Sequence, residues 1–227
     1  MQKNKRFYKS KKILFSFVFV LFLLMIIKIY NNVEIFSAKS CVKIKEHIGI
    51  IDTYLSKEYE NVEYYTLSKI DNTSKNKTHG DFMVDFVRST GYSGKIYYCS
   101  ALKNGKINSD SIYDALECLK KQGVKKINIS LSSKVMDEKI QNWIQDNNNF
   151  IQVYASYNNR LNTLSDYPAM YKNVIGSGFD ERIKYKDCDR KYKSNKLIVI
   201  SSSISFRTGN SYLSLVSMLK DCVADME

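Results

Sequence analysis

The stretch that decides the fold lies near the end of the chain and reads Thr208-Gly209-Asn210-Ser211-Tyr212-Leu213-Ser214-Leu215-Val216-Ser217-Met218-Leu219-Lys220. It follows the apolar run 197–200, and apolar residues after Ser211 recur at helical spacing: Leu215, Val216, Leu219, Cys222 and Val223. This pattern predicts a strand, a loop carrying a serine, and then a helix. Such a serine or the preceding Asn210 commonly caps the helix. Alternatively, the serine is a nucleophile, placed where unpaired backbone N–H groups favour negative charge.

Strand and helix patterns alternate through the middle of the chain. The predicted strands are 47–53, 95–100, 126–131, 150–155, 173–178 and 197–203, and the predicted helices include 109–122 and 135–147. The alternation predicts an α/β fold with a predominantly parallel sheet and helices on both faces. Residues 58–77 are predicted to be a polar surface segment, and 181–196 a basic, hairpin-like stretch.

The first predicted strand and the histidines supply candidate partners for the serine. Strand 47–53 is almost continuously apolar and ends in Asp52, which suits a strand covered on both faces with a carboxylate at its end. The chain has two histidines. His79 precedes Met83, Phe86 and Val87 at helical spacing, so it stands at a helix start. It is the better candidate for an imidazole base.

The N-terminal region predicts membrane association. Six basic residues within the first twelve precede the uncharged apolar run 13–27, which predicts either one transmembrane anchor or a signal peptide. An anchor is favoured because Ala38-Lys39-Ser40 matches a cleavage site poorly. The basic flank predicts a single-pass protein of the cell membrane, with its N-terminus in the cytoplasm and the remainder outside. The predicted units are an anchor over 1–30, a polar tether over 31–45 and one globular domain over 46–227.

Composition argues against several other classes of protein. The net charge is +12, but the chain beyond Lys28 has 28 basic and 23 acidic residues, so the excess of positive charge there is modest. We therefore predict no nucleic-acid partner, since no aromatic stacking motif or zinc-ligand spacing accompanies the modest charge. The cysteines are scattered without metal-binding spacing, so no metal or cofactor is predicted: Cys41, Cys99, Cys118, Cys188 and Cys222.

Four stretches, taken in order, resemble the motifs of subtilisin-like serine peptidases. They are Ile50-Ile51-Asp52-Thr53, Thr78-His79-Gly80, the segment around Asn158, and Gly209-Asn210-Ser211. Residues 127–131 and 167–178 are similar to supporting segments, and the resemblance covers about 44–225. It implies that Asp52 orients His79, that His79 takes the Ser211 proton, and that Asn158 stabilises the oxyanion. It also implies that a strand ending in Ser130, Leu131 and Ser132 binds the substrate.

The same segments depart from the family pattern. Asn210 replaces the usual threonine before the serine, Leu215 replaces a proline, and Tyr54 replaces a glycine after the aspartate. Tyr157 replaces the glycine before Asn158, which predicts an obstructed cleft. The resulting expectation is a membrane-anchored, extracytoplasmic serine endopeptidase that processes a specific secreted peptide or leader. The alternative is a catalytically silent, peptide-binding sensor or immunity module at the membrane. The oligomeric state is left open.

Overall fold

The computed structural model of the chain describes residues 16, 18–26, 33–36, 41–66, 76–157, 166–178, 190–193, 197–200, 205–207 and 209–226. The predicted anchor over 1–30 lies largely outside these ranges and stays a prediction. Residues 18–26 are helical and their side chains are exposed. Among the described residues, the helices are too short or too polar to cross a membrane.

The central sheet has seven strands, and every pairing in it is parallel. Its order is β3-β4-β2-β5-β6-β7-β8. The strands of the described chain are β1 (Val33–Phe36), β2 (Ile48–Asp52), β3 (Val62–Thr66), β4 (Ile96–Ser100), β5 (Lys126–Ile129), β6 (Gln152–Ser156), β7 (Val174–Gly178), β8 (Arg190–Lys193), β9 (Leu197–Ile200) and β10 (Ser205–Arg207). All five residues of β2 are buried, because this strand lies inside the sheet and is covered on both faces.

The path of the chain reverses around β2. Strand β4 pairs with one edge of β2 and β5 pairs with the other. In open parallel sheets, functional groups gather at the carboxyl ends of strands beside such a reversal. Asp52 is the last residue of β2 and lies opposite Ser100, the last residue of β4. The topology therefore places Asp52 where a site is expected.

Helices cover both faces of the sheet, as predicted. They are α1 (His79–Ser89), α2 (Ser109–Lys121), α3 (Glu138–Asn147) and α4 (Asn210–Ala224). Helices α1 and α4 bury their apolar sides with Ile50 and Tyr98 on one face. Helices α2 and α3 pack with Ile51 and Ile127 on the other face. The parallel α/β architecture predicted from the sequence is confirmed.

A second, three-stranded sheet is formed by β1, β9 and β10, of which the sequence predicted only the strand at β9. Strand β1 pairs parallel with β9, and β9 pairs antiparallel with β10. Residues 33–36, expected in a polar tether, are thus a strand, and Cys41 and Ile44 are fully buried in the core. The described part of the predicted last strand 197–203 is β9, which lies in this small sheet and pairs with β10. The partner of β1 is remote in sequence, so no local pattern signals the pairing.

Three further predictions are corrected by the structure. Helix α3 begins at Glu138 instead of residue 135, because the Asp137 side chain caps it by accepting a hydrogen bond from the Ile140 N–H at 3.1 Å. Met136, which precedes the helix, is exposed. The segment 58–77 contains edge strand β3, and the described part of 181–196 is the parallel strand β8. Four cysteines are free, while Cys188 lies outside the described residues.

Candidate active site

Asp52 and His79 form a direct hydrogen-bonded pair at the carboxyl edge of the sheet. The His79 Nδ1 atom lies 2.8 Å from each carboxylate oxygen of Asp52. Asp52 is fully buried, whereas 43% of the His79 side chain is exposed. The hydrogen bond to Asp52 raises the pKa of His79 above its ordinary value, although burial opposes the rise. Because Nδ1 faces the carboxylate, the neutral ring holds its proton there and leaves Nε2 free to accept another.

The start of α1 fixes the position of His79. Thr78 caps the helix, accepting a hydrogen bond from the Asp81 N–H at 3.2 Å, while Asp81 accepts one from the Thr78 N–H at 2.6 Å. Asp81 also accepts hydrogen bonds from the Ser56 N–H and the Tyr59 hydroxyl. Burial tends to raise the pKa of the Asp81 carboxyl, but its hydrogen bonds with Ser56 and Thr78 outweigh burial and lower it. A charged carboxylate therefore holds the first turn of α1 in place.

Gly80 brings the histidine turn close to strand β4. Its N–H donates to Thr53 Oγ1 at 3.0 Å, and the Tyr98 hydroxyl donates to the Thr53 carbonyl at 2.9 Å. A Cβ atom at residue 80 would lie 1.9 Å from the Tyr98 hydroxyl oxygen. Only glycine fits this approach. The spacing between Asp52 and His79 thus depends on backbone contacts as well as on the dyad itself.

Ser211 is buried in the first turn of α4, but it is not the helix cap. The cap is Gly209, with φ of 131° and without a side-chain capping hydrogen bond. The structure therefore overturns the simple capping interpretation of Asn210 and Ser211. The neighbouring Tyr212 packs on Phe86 of α1, with ring centroids 5.1 Å apart. The helix that carries Ser211 thus contacts the helix that carries His79.

Tyr157 is directed into the core, which corrects the expectation of an obstructed cleft. It is 2% exposed, its hydroxyl donates to the Ala169 carbonyl at 3.1 Å, and its N–H donates to the Ser177 carbonyl at 2.9 Å. Its ring lies against Gly176, where a Cβ atom would approach a ring carbon to 2.5 Å. The missing side chain at Gly176 makes room for the tyrosine.

Asn210 links the serine turn to the segment before Asn158. Its Nδ2 donates to the carbonyl of Tyr157. The predicted oxyanion residue, Asn158, lies outside the described residues. The backbone of the preceding residue, Tyr157, is held at both ends, since its carbonyl accepts from Asn210 and its N–H donates to the Ser177 carbonyl. Sequence reasoning treated Asn210 as a departure from a pattern and missed this contact, for which no local signal exists.

The predicted substrate strand leads into a cavity. Ser130 follows β5 and is buried. Its N–H donates to the Ile51 carbonyl at 3.3 Å, and its hydroxyl oxygen accepts a hydrogen bond from Asn128 Nδ2 at 2.7 Å. Leu131 and Ser132 line a cavity of about 290 Å³, together with Ile107, Ile112, Val135 and Tyr167. The apolar lining and polar rim can accommodate a side chain of a bound peptide. Of the three predicted residues, Leu131 and Ser132 thus lie at the cavity, and Ser130 supports the strand end.

Within the described ranges, no cluster of three or more His, Cys, Asp or Glu side chains could hold a metal ion. Asp81 was missed as a positioning residue, although the Thr78-x-x-Asp81 spacing matches a capping box and could have indicated it.

Comparisons with known proteins identify the fold. No family model and no curated relative matches the chain. Among solved structures, the prenylagaramide maturation protease PagA has a TM-score of 0.56 at 12% identity, over 82% of this chain and 76% of that one. A lanthipeptide protease gives 0.56 at 13% identity, over 78% and 72%. The subtilisin-like protease Apa1 from Pseudoalteromonas sp. AS-11 gives 0.50 at 16% identity, over 73% of this chain but 42% of its own. The chain therefore has the fold of subtilisin-like proteases.

Proposed function

We propose that this protein is a membrane-anchored serine endopeptidase that acts outside the cytoplasm. The observation that carries the proposal is the contact of the buried Asp52 with His79 Nδ1 at 2.8 Å, at the functional edge of the sheet. A carboxylate that fixes an imidazole in this way leaves Nε2 as a general base. The second support is the location of Ser211 in the first turn of a helix packed against α1.

In the proposed reaction, His79 Nε2 takes the hydroxyl proton of Ser211 while Oγ bonds to the peptide carbonyl carbon. The backbone N–H of Ser211 and the Asn158 side chain donate to the resulting oxyanion. The carbon–nitrogen bond then breaks, and His79 returns the proton to the departing amine. Water, deprotonated by the same imidazole, then attacks the acyl carbon, the bond from that carbon to Ser211 Oγ breaks, and His79 gives the proton to Oγ as the acid product leaves. The hydrogen bond from His79 Nδ1 to Asp52 stabilises the positive imidazolium in each step.

The proposed substrate is a secreted peptide precursor or leader. Of the structures with the same fold, one is named as a prenylagaramide maturation protease and another as a lanthipeptide protease. The cavity beside Leu131 and Ser132 offers one apolar pocket for a peptide side chain. Because Tyr157 is packed in the core, selectivity is assigned to this pocket and not to an obstructed cleft.

A fluorophosphonate probe tests the proposal. We expect the full chain, purified in detergent, to be labelled on Ser211 and the Ser211→Ala variant to lose the label. Ser217→Ala is the matched control, since Ser217 is also buried in α4 but lies in a later turn. His79→Ala should also abolish labelling, because a hydroxyl without its base is a weak nucleophile. A folded chain that binds peptides without labelling would instead support the catalytically silent, peptide-binding sensor or immunity module.

A further inference from the structure

The Tyr157 side chain fills space below the carboxyl ends of two neighbouring strands. Strands β5 and β6 are parallel, and Ile129 lies opposite Ala155. Continued by two residues, the same register places Leu131 opposite Tyr157, which follows the end of β6. Tyr157 is buried in one cluster with Ile129 and Ala155, and Leu131 packs against that cluster. The crevice between the two strand ends therefore has the tyrosine on one side and the leucine on the other.

Neighbouring segments of the chain enclose the Tyr157 ring. Its hydroxyl donates to the Ala169 carbonyl at 3.1 Å, and a Cβ atom at Gly176 would approach a ring carbon to 2.5 Å. Ser133 and Tyr167 exchange two backbone hydrogen bonds of 2.8 Å, which join the segment after β5 to the segment that contains Ala169. The tyrosine is 2% exposed, so its ring lies beneath the cleft and leaves the path of a peptide backbone open.

The backbone of Tyr157 lies beside the proposed nucleophile. Asn210 immediately precedes Ser211, and its Nδ2 donates to the Tyr157 carbonyl. In the proposed reaction, the oxyanion faces the Ser211 N–H and the side chain of Asn158, the residue after Tyr157. The residue that supplies the attacked carbonyl, which we call the acyl residue, therefore lies along the Tyr157 backbone. Because ligands of parallel sheets enter the crevice outside the carboxyl ends of the strands, the acyl side chain is directed toward the ends of β5 and β6.

The cavity of about 290 Å³ is a different space from this crevice. Of the described residues, Leu131, Ser133 and Tyr167 help to line it, whereas Tyr157 does not. Leu131 thus has the cavity on one side and the cluster of Tyr157 on the other. A peptide side chain can enter the cavity, while the space at the strand ends is already occupied. The two spaces therefore correspond to different positions along a bound peptide.

On the basis of the proposed peptidase activity, we propose that Tyr157 limits the acyl residue of the substrate to glycine, alanine or serine. A ring packed at interior density leaves no room for a second large side chain. Displacement of the ring would break its hydrogen bond to Ala169 and remove the group that covers Gly176. The substrate is then a precursor that is cut after a small residue, with a larger apolar side chain at another position bound in the cavity.

Peptidyl phosphonates test the size limit. In biotinyl-Ala-Ala-Xaa diphenyl phosphonate, the serine oxygen displaces phenoxide from phosphorus while Xaa takes the place of the acyl residue. With the full chain in detergent, we expect the alanine probe to label Ser211 at least about 100-fold faster than the phenylalanine probe, since single methylenes already change such rates by roughly 10–200-fold. Tyr157→Ala should bring this ratio to about 1 or below, because it opens a space of the size of the lost ring.

Further substitutions separate the volume of Tyr157 from its other roles. Tyr157→Phe keeps the ring and should keep the ratio, although the hydrogen bond to Ala169 is lost. Tyr157→Leu retains more of the packing than Tyr157→Ala, so it serves where the alanine variant does not fold, and it should also lower the ratio. Tyr154→Leu is its matched control, because Tyr154 is fully buried on β6 but lies in the cluster of α1 and α4. This control should leave the ratio unchanged.

A fluorophosphonate has no acyl residue, so its reaction with Ser211 reports the peptidase separately. If it labels the wild-type chain but the phenylalanine probe reacts as fast as the alanine probe, the size limit is refuted and the peptidase stands. A preference for alanine that persists in folded Tyr157→Ala or Tyr157→Leu overturns the role of Tyr157. A folded wild-type chain that the fluorophosphonate does not label refutes the peptidase and the size limit together.

Discussion

At the residue scale, the contact between Asn210 and the Tyr157 carbonyl joins the serine turn to the peptide before Asn158. We predict that Asn210→Ala lowers kcat of peptide cleavage about 10²-fold with little change in KM, since a displacement of about 1 Å in a catalytic group has such an effect. Steady-state kinetics of the full chain on a peptide substrate measure both constants.

The control for this prediction is Asn148→Ala, which removes an exposed asparagine at the end of α3. It should leave both constants unchanged. Wild-type kcat in Asn210→Ala would show that the contact has no role in positioning. If the loss of rate in Asn210→Ala is fully explained by unfolding of the variant, Asn210 serves only to stabilise the fold.

The Asp52–His79 hydrogen bond predicts a specific pH dependence. It raises the pKa of His79, so kcat/KM should rise with pH through a midpoint above about 6.5, where an unperturbed imidazole titrates. The free energy of unfolding depends on pH in the opposite direction. The protonated pair stabilises the fold fully below about pH 6.5, and this contribution is lost as pH rises through the raised pKa.

The Asp52→Asn variant checks this assignment. It should lower kcat by about 10⁴-fold, because the imidazole loses its orienting carboxylate. The acid limb of the residual activity should move to lower pH, since the main cause of the raised His79 pKa is removed. An unchanged midpoint in the pH–rate profile would contradict the role of the dyad.

Local sequence predicted some of these residues and not others. Asp52 and His79 stand out because a carboxylate ends a buried apolar run and a histidine begins an amphipathic one. The direction of Tyr157 could not be predicted, because the space for its ring is created by Gly176, on the neighbouring strand β7. Contacts between remote segments leave no periodic signal.

At the scale of single elements, the approach of α1 to β4 is the most constrained feature. Gly80→Ala would place a Cβ atom 1.9 Å from the Tyr98 hydroxyl oxygen. We predict that it destabilises the protein by about 1–3 kcal/mol, as overpacking does. It should also reduce fluorophosphonate labelling, because His79 begins the displaced helix.

The double variant Gly80→Ala/Tyr98→Phe provides the test of cause. Removal of the hydroxyl oxygen relieves the closest contact, so part of the lost stability should return in thermal unfolding of the full chain. Additive losses from the two substitutions would show that the clash is not the reason.

The elements that the sequence predicted are those with a local period. Strand β2 and helices α2 and α4 follow from runs of apolar residues or from helical spacing. Strands β1, β3 and β10 were missed, because short strands that lie at edges or pair with remote segments have little apolar pattern of their own. Residues 33–36, within the expected tether 31–45, therefore carry no local sign that they form strand β1.

At the scale of the whole molecule, Lys126 holds the start of the central sheet to the end of α4. It is buried between Glu46, before β2, and Asp225, after α4. We predict that Lys126→Met destabilises the protein by about 1–2 kcal/mol in urea unfolding, less than for a fully buried pair because both carboxylates are partly exposed.

The adjacent Lys125 offers a matched control. It is exposed on the same segment, so Lys125→Met should change stability by less than about 0.5 kcal/mol. Equal effects of the two substitutions on the free energy of unfolding would show that the ion pairs of Lys126 with Glu46 and Asp225 do not hold α4 to the sheet.

The pairing of β1 with β9 also bears on the stage of synthesis at which the proposed peptidase is complete. The two strands are separated by about 160 residues, so their sheet closes only after the chain has been made through β9. Helix α4, with Ser211, follows β9 and β10 in the chain. In the proposed peptidase, a nascent chain that has not yet been made through α4 therefore has no nucleophile in place, and it cannot cut itself.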